Sequence, residues 1–268
     1  MGRLDDKVAL VTGAARGTGA TIAQLFVDEG AKVVIADILD DRGTETAEKI
    51  GPSARFRHHD VTKEDDWNET VADLRAQEGK LDVLVNDAAV LHLSSIDDTT
   101  PETFEKVFRV NCFGPFLGTR ACLPMLRETR GAIVNIGSIN SIFTLPGTVA
   151  YTAAKFGLRG LTKSTALENG KYGVRANIVC PATGNPEMHF DLVGKERSGD
   201  LPAEGPKTPG QESADELVTG MDLRPIAAVA LFLASDESRY CTGAEFVADN
   251  GMQVGPVIDI PGVWTSDV

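Results

Sequence analysis

The sequence predicts an α/β fold: a doubly wound parallel sheet of about seven strands with helices on both faces. Three observations predict it. Short apolar runs alternate with amphipathic stretches through the first half of the chain. A glycine-rich segment joins the first run to the first amphipathic stretch. The 268 residues, 42% apolar and 24% charged, suit one large domain with a substantial core. Strands alternating with helices imply right-handed crossovers, which sandwich a parallel sheet between helical layers.

The elements follow in order. Val8 to Val11 is an apolar run and reads as the first strand. Ile22, Ala23, Leu25, Phe26 and Val27 then fall at helical spacing. Lys32 to Ala36 is a β-branched second strand, and Ala47 to Ile50 closes a polar helix. Arg55 to His59 reads as a third strand. Trp67, Val71 and Leu74 recur at i, i+4, i+7 and mark a helix face. Leu81 to Val85 is the fourth strand. Phe104 to Leu126 reads as one long helix that Pro115 and Pro124 kink or end. Ala132 to Ile136 is a strand, Ala150 to Leu167 a helix, and Val174 to Val179 a strand. Pro225 to Ala234 is a helix with proline in its first turn, and Ala244 to Ala248 is the last strand.

The chain reads as a single domain over 1–268. Residues 182–223, rich in Gly, Pro and charge, break the rhythm and predict a lid over a site. Residues 251–268 form a tail with Ile258, Ile260 and Trp264, which suits packing on a neighbour or closing a pocket.

Net charge is −13, which argues against nucleic acid and anionic membrane surfaces as partners. No stretch reaches the roughly 18 apolar residues needed to span a bilayer. Met1 to Lys7 lacks the apolar run of a signal peptide, so a cytoplasmic location is expected. Cys112, Cys122, Cys180 and Cys241 form no C-x-x-C pair and have no histidine at metal-ligand spacing. They are expected to be reduced and structural, with no metal site.

Thr12-Gly13-Ala14-Ala15-Arg16-Gly17-Thr18-Gly19 follows the first strand and opens the first helix. Glycines there let backbone approach a pyrophosphate, and a helix N-terminus offers unpaired N–H groups to the anion. An ordinary tight turn would also use glycine. Asp37 ends the second strand roughly 20 residues later, the position where a carboxylate takes ribose hydroxyls in a Rossmann-like fold. It would repel a 2′-phosphate, so NAD is expected over NADP; Arg16 pulls the other way.

Tyr151 and Lys155 are four apart in a helical stretch and share one face. A lysine cation beside a tyrosine favours the phenolate, which suits a proton shuttle. Ser138 follows a strand at the carboxyl edge of the sheet, where a hydroxyl can meet a developing alkoxide. Taken singly, these residues also suit a solvated helix face and a turn.

Gly13, Gly17 and Gly19, then Asn86, Asn111, Ser138, Tyr151 and Lys155, stand in the order and spacing of the short-chain dehydrogenase/reductase family, which this sequence resembles over nearly its whole length. Asp60-Val61-Thr62 and Thr242-Gly243 belong to the same likeness. Ala36 to Asp41, Tyr151 to Glu168 and Ser235 to Val247 are similar to its bacterial hydroxysteroid and cyclic-alcohol dehydrogenase branch. The resemblance implies NAD(H)-dependent interconversion of a hydrophobic secondary alcohol and its ketone. Tyr151 would be the general acid/base and Lys155 its partner on the nicotinamide ribose. Ser138 would polarise the carbonyl, and Asn111 would hold a water in the proton relay. Gly13, Arg16, Gly17, Thr18, Gly19, Asp37, Ile38, Asp60, Val61, Asn86, Ala88, Val110, Tyr151, Lys155, Pro181 and Thr183 would hold the cofactor. Asp60 and Val61 correspond to adenine contacts, and Asn86 to the passage beside the adenosine ribose. A homotetramer, or a homodimer, is implied through the two long helices.

Several positions depart from the family pattern, Asn250 among them, where the family has the first glycine of Asp-Gly-Gly. Asp87 and Ala89 stand in Asn86-Asp87-Ala88-Ala89 where the family has Asn-Asn-Ala-Gly. Ala182 replaces a glycine, and Pro186 a threonine near the carboxamide. Substrate contacts are expected from Ser138, Asn140, Phe143, Tyr151 and Met188, with Ile139, Leu145, His92, Leu93 and Phe190 nearby; the set suits a steroid, terpenoid or alicyclic ligand. The alternative is a catalytically weak NAD(H)-binding sensor or scaffold.

Overall fold

The computed structural model describes residues 2–182, 184, 188 and 222–254. Most of the expected lid at 182–223 and the tail beyond 254 lie outside the described residues.

Seven parallel strands form one sheet in the order β3-β2-β1-β4-β5-β6-β7. They are β1 (Val8–Thr12), β2 (Lys32–Asp37), β3 (Ala54–His58), β4 (Val83–Asn86), β5 (Ala132–Ile136), β6 (Arg175–Pro181) and β7 (Glu245–Ala248). The chain steps outward from β1 to β3, then returns to place β4 on the other side of β1. Thr12 pairs with Ala36 on one side and with Asn86 on the other. The order reverses there, and a crevice opens beyond the carboxyl ends of β1 and β4.

Two faces are buried because side chains alternate along each strand. Ala9, Val11, Val33, Ile35, Val134 and Val179 point to one face. There they meet Ile22 and Phe26 of α1 (Gly17–Asp28) and Ala227 and Leu231 of α7 (Arg224–Ala234). Val8, Leu10, Val34, Leu84 and Ile133 point to the other face. They meet Trp67 and Leu74 of α3 (Glu64–Gln77) and Leu117 and Leu126 of α5 (Gly114–Thr129). Burying each large side chain contributes roughly 1.5–3 kcal/mol before the entropy cost. The indole of Trp67 lies where a Cβ on Gly118 would be, so glycine lets α5 lie close over α3. The second helix, α2 (Asp40–Ile50), packs beside β3.

The stretch expected as one long helix is three segments. α4 (Pro101–Phe108) runs into a π-helical turn, Arg109–Phe113, and then into α5. The break precedes the prolines. In α-register the Asn111 carbonyl would pair with the N–H four residues on, which is Pro115 and has none. Pro115 opens α5, and Pro124 lies inside that helix without ending it. Against this pair lies α6 (Val149–Asn169), whose buried stripe carries Tyr151, Ala154, Lys155, Leu158 and Thr162. The helical period alone therefore aims Tyr151 and Lys155 inward together.

Candidate active site

A cleft of about 470 Å³ runs along the carboxyl edge of the sheet. Gly13, Arg16 and Thr18 line one end, with Asp37, Ile38, Asp60 and Val61. Ala88 and Val110 lie mid-way, and Ser138, Tyr151, Lys155, Pro181 and Met188 line the other end. The sequence expectation thus brings most of its residues to one surface.

The loop after β1 is tight for a physical reason. Gly13 has φ of +67°, and a Cβ on it would sit 2.6 Å from the Cα of Ala88. A Cβ on Gly19 would meet the Gly13 carbonyl at 2.6 Å and Asp87 Oδ2 at 2.8 Å. Gly17, at φ +60°, begins α1. Gly17 and Gly19 shape the loop without lining the cleft. Asp37 Oδ2 accepts from the Ala15 N–H at 3.0 Å and Oδ1 from the Leu39 N–H at 3.1 Å. The loop is thereby tied to the end of β2. Each carboxylate oxygen keeps a further lone pair for a ligand hydroxyl. Glycine backbone at a helix start, an acid at the end of β2 and an elongated cleft together fit a dinucleotide.

At the far end Ser138 caps a short 3-10 turn, Ile139–Ser141. Its Oγ accepts from the Asn140 N–H at 3.1 Å and lies 3.4 Å from Asn140 Oδ1. It also faces the Tyr151 phenol and lowers its pKa. The hydroxyl proton is held only by the long contact to Asn140, so an incoming carbonyl oxygen can take it. Tyr151 and Lys155 are 7% and 2% exposed, and the Lys155 Nζ is 5.4 Å from the Tyr151 ring centre.

Burial is the largest influence on the proton energetics of this end. It pushes Tyr151 above its ordinary pKa, Ser138's hydroxyl pulls it down, and Asp87 raises it further. Burial lowers Lys155 to about 8, opposed by Asp87. Burial raises Asp87 itself to about 7, with Lys155 and the Gly19 N–H opposing.

Several expected residues act from behind the cleft wall. Asn111 is buried, and its side chain donates to the carbonyls of Val90 and Val107, both at 2.8 Å. It accepts from the Val90 N–H at 3.3 Å, so its side chain fixes the wall instead of facing a ligand. Asn86 does not line the cleft, contrary to expectation. It is 3% exposed and donates to Asn135 Oδ1 at 2.8 Å, joining β4 to β5. Asp60 Oδ1 is engaged by the N–H and hydroxyl of Thr62, at 3.0 and 2.7 Å. Asn140 lines the cleft, but its amide nitrogen donates to Thr148 and Thr152, each at 3.0 Å. It positions Ser138 more directly than it offers itself to substrate. Phe143 and His92 are not among the lining residues. Thr183, Pro186 and Phe190 lie outside the described residues.

Sequence reasoning missed Thr148 and His59, and gave Thr12, the first residue of the glycine-rich segment, no role of its own. Thr12 Oγ1 accepts from the Asp87 and Ala88 N–H groups at 3.1 and 3.3 Å and pins that segment to β1. His59, 1% exposed, forms part of the wall beyond β3. No periodicity or motif singles out a lone threonine or histidine. Among the described residues, no group of three His, Cys, Asp or Glu is placed to hold a metal, and no helix is long and apolar enough to cross a membrane. The four cysteines are free thiols.

A family model described as enoyl-(acyl carrier protein) reductase matches residues 13–253. The chain is 42% identical over 260 residues to a 3-alpha-(or 20-beta)-hydroxysteroid dehydrogenase of Mycobacterium tuberculosis, covering 95% of this chain and 92% of that protein. It is 37% identical over 262 residues to the trans-4-hydroxycyclohexanecarboxylate dehydrogenase of Sinomonas cyclohexanicum, covering 94% and 95%. It is 35% identical over 255 residues to a cyclopentanol dehydrogenase of Comamonas testosteroni, covering 94% and 98%. A crystal structure assigned to a short-chain dehydrogenase/reductase from Burkholderia xenovorans superposes with a TM-score of 0.80 at 33% identity, covering 96% of this chain and all of that one.

Proposed function

The chain belongs to the short-chain dehydrogenase/reductase family of oxidoreductases, which use NAD(P) nucleotides, and from that premise we propose that it interconverts a hydrophobic secondary alcohol and its ketone with NAD(H). The observation that carries the reading is the placement of the Ser138 hydroxyl and the Tyr151 phenol in one cleft, with Lys155 on the same helix face as Tyr151.

Ketone reduction needs a proton donor and a hydrogen-bond donor at one oxygen. Tyr151 Oη gives its proton to the carbonyl oxygen, and Ser138 Oγ donates to the same atom. Alcohol oxidation runs the proton the other way. Bound nicotinamide supplies or takes the hydride. Lys155 holds the nicotinamide ribose and carries positive charge beside the phenol. Asn111 keeps the wall at Val90 in place and stands where the family holds a relay water.

Gly13, Arg16, Thr18 and the N–H groups of α1 hold the pyrophosphate; Asp37 takes the adenosine ribose and disfavours a 2′-phosphate. Leu91, Leu93, Ile139, Leu145 and Met188 give the substrate end apolar walls, which suits a steroid or alicyclic ring. The names of the relatives favour the same class. Exposed Phe104, Phe113, Phe116 and Phe156 on α4, the π-helical turn, α5 and α6 support assembly as a homotetramer or homodimer. The soluble, cytoplasmic setting belongs to the same proposal.

The test is a substrate panel read at 340 nm: cyclic alcohols and hydroxysteroids with NAD⁺, their ketones with NADH, and an enoyl thioester with NADH. Turnover of a cyclic alcohol–ketone pair is the expected result. Turnover of the enoyl thioester alone, or saturable cofactor binding with no turnover of any compound, would overturn the reading.

A further inference from the structure

Asp87 is a cleft residue that the proposed reaction does not use. Its backbone is fixed by Thr12, and its carboxylate lies beside the Gly19 backbone in the first turn of α1. Asp87 Oδ2 lies 2.8 Å from the Cβ position of Gly19, so the acid fills the space that the glycine leaves. The Gly19 N–H belongs to the loop whose donors suit a pyrophosphate. The chain thus places its own anion at the helix start that a dinucleotide must approach. The charged or titratable groups facing it are Lys155 and Tyr151 from α6 and Asp37 from β2, with Arg16 lining the same cleft. Cys112, in the π-helical turn, acts on Lys155.

We propose that Asp87 makes dinucleotide affinity proton-linked: the cleft holds the cofactor more tightly with Asp87 protonated than with Asp87 ionised. The inference rests on the reading of the cleft as a dinucleotide site. An anion brought beside an ionised carboxylate disfavours the charged form of that carboxylate, so binding takes up a proton. The burial that lifts Asp87 to about 7 puts this exchange near neutrality. If the bound dinucleotide raises that value by one further unit, affinity falls about tenfold between the acid and alkaline limits.

Lys155 loses charge nearby and must be separated from Asp87. Asn in place of Asp87 keeps an acceptor beside the Gly19 backbone and removes the carboxylate. It also removes what raises Lys155, so Lys155 would deprotonate sooner in the variant and weaken its binding at alkaline pH. The two effects have opposite signs. The experiment titrates NADH fluorescence against wild type and Asp87→Asn from pH 5.5 to 8.5. The expected result is near-equal affinity at pH 5.5 and several-fold tighter binding by the variant at pH 8. A ratio that stays constant or falls with pH overturns the proposal. In parallel, calorimetry of NADH binding to wild type at pH 6.5, where Lys155 is already protonated and Asp87 is partly ionised, in two buffers of different ionisation enthalpy, should report proton uptake. Zero uptake or release overturns the proposal even if the variant does not fold. Absence of saturable NADH binding at every pH would instead overturn the dinucleotide reading beneath it.

Discussion

Lys155 Nζ donates to the carbonyl of Ile136 at 2.8 Å, tethering the buried ammonium to the end of β5. The bond satisfies one of three N–H donors and holds the charge in the cleft wall. Lys155→Met keeps the stem and removes both charge and donor. Turnover should fall by about 10²–10⁴-fold, with the larger loss in kcat, since a positioned acid–base partner contributes on that scale. Lys155→Arg should not rescue it, because a planar guanidinium does not reproduce a point donor in this enclosed space. Steady-state kinetics with circular dichroism as the folding control checks both. Rates within threefold of wild type for Lys155→Met would remove Lys155 from the mechanism.

The Ser138 hydroxyl beside Tyr151 sets the direction of a pH effect. It is the group that pulls Tyr151 down against burial. Removing the hydroxyl should move the alkaline rise of alcohol oxidation to higher pH, because oxidation needs Tyr151 to accept a proton. Ser138→Ala should therefore lower kcat by about 10²-fold or more and shift the profile upward. Tyr151→Phe should cost more, with NADH binding retained. A Ser138→Ala profile that shifts to lower pH would contradict the geometry.

Asp37 predicts cofactor choice. Its carboxylate is already held by the N–H groups of Ala15 and Leu39 at the end of β2, where the proposed reading puts the adenosine ribose. Asp37→Ser shortens the side chain and removes the charge. The ratio of kcat/KM for NADP⁺ over NAD⁺ should rise by about 10²-fold, on the order of 3 kcal/mol of relieved repulsion. An unchanged ratio would place cofactor selection elsewhere.

The fold was legible because alternation and helical spacing report burial directly. Val8 to Val11, with neighbours facing opposite cores, and the Tyr151–Lys155 face are local patterns. The π-helical turn was not legible. It arises from the missing N–H of Pro115 acting on Asn111, which reads in sequence as an ordinary helix with a proline. The misplacement of Asn86 has the same character. Its motif lies in the right loop, but strand pairing with β5 turns its side chain into the sheet toward Asn135. The upward shift of Tyr151 required knowledge of burial, which no residue spacing reports.

His59 carries a stability prediction separate from catalysis. It is 1% exposed, stacks edge-on against Trp67 at 4.2 Å, and has Nδ1 2.9 Å from Thr70 Oγ1. Arg57 Nε donates to that same hydroxyl at 2.9 Å, leaving the Thr70 proton for His59 Nδ1. Burial, aided by Arg57 and opposed by Asp66, lowers His59 to about 4. In the unfolded chain its pKa is about 6.5. Between these values the unfolded state binds the proton that the folded state refuses, so stability rises with pH across this window and is lost as pH falls. The loss by pH 4.5 should be roughly 2–3 kcal/mol from this residue. His59→Leu keeps an apolar side chain against Trp67 and cannot titrate. It should be less stable than wild type at pH 7, where it lacks the Thr70 bond, and should close or reverse that gap by pH 4.5. Urea unfolding of both proteins at the two pH values measures the difference, and a gap that does not narrow would show that His59 is not buried neutral.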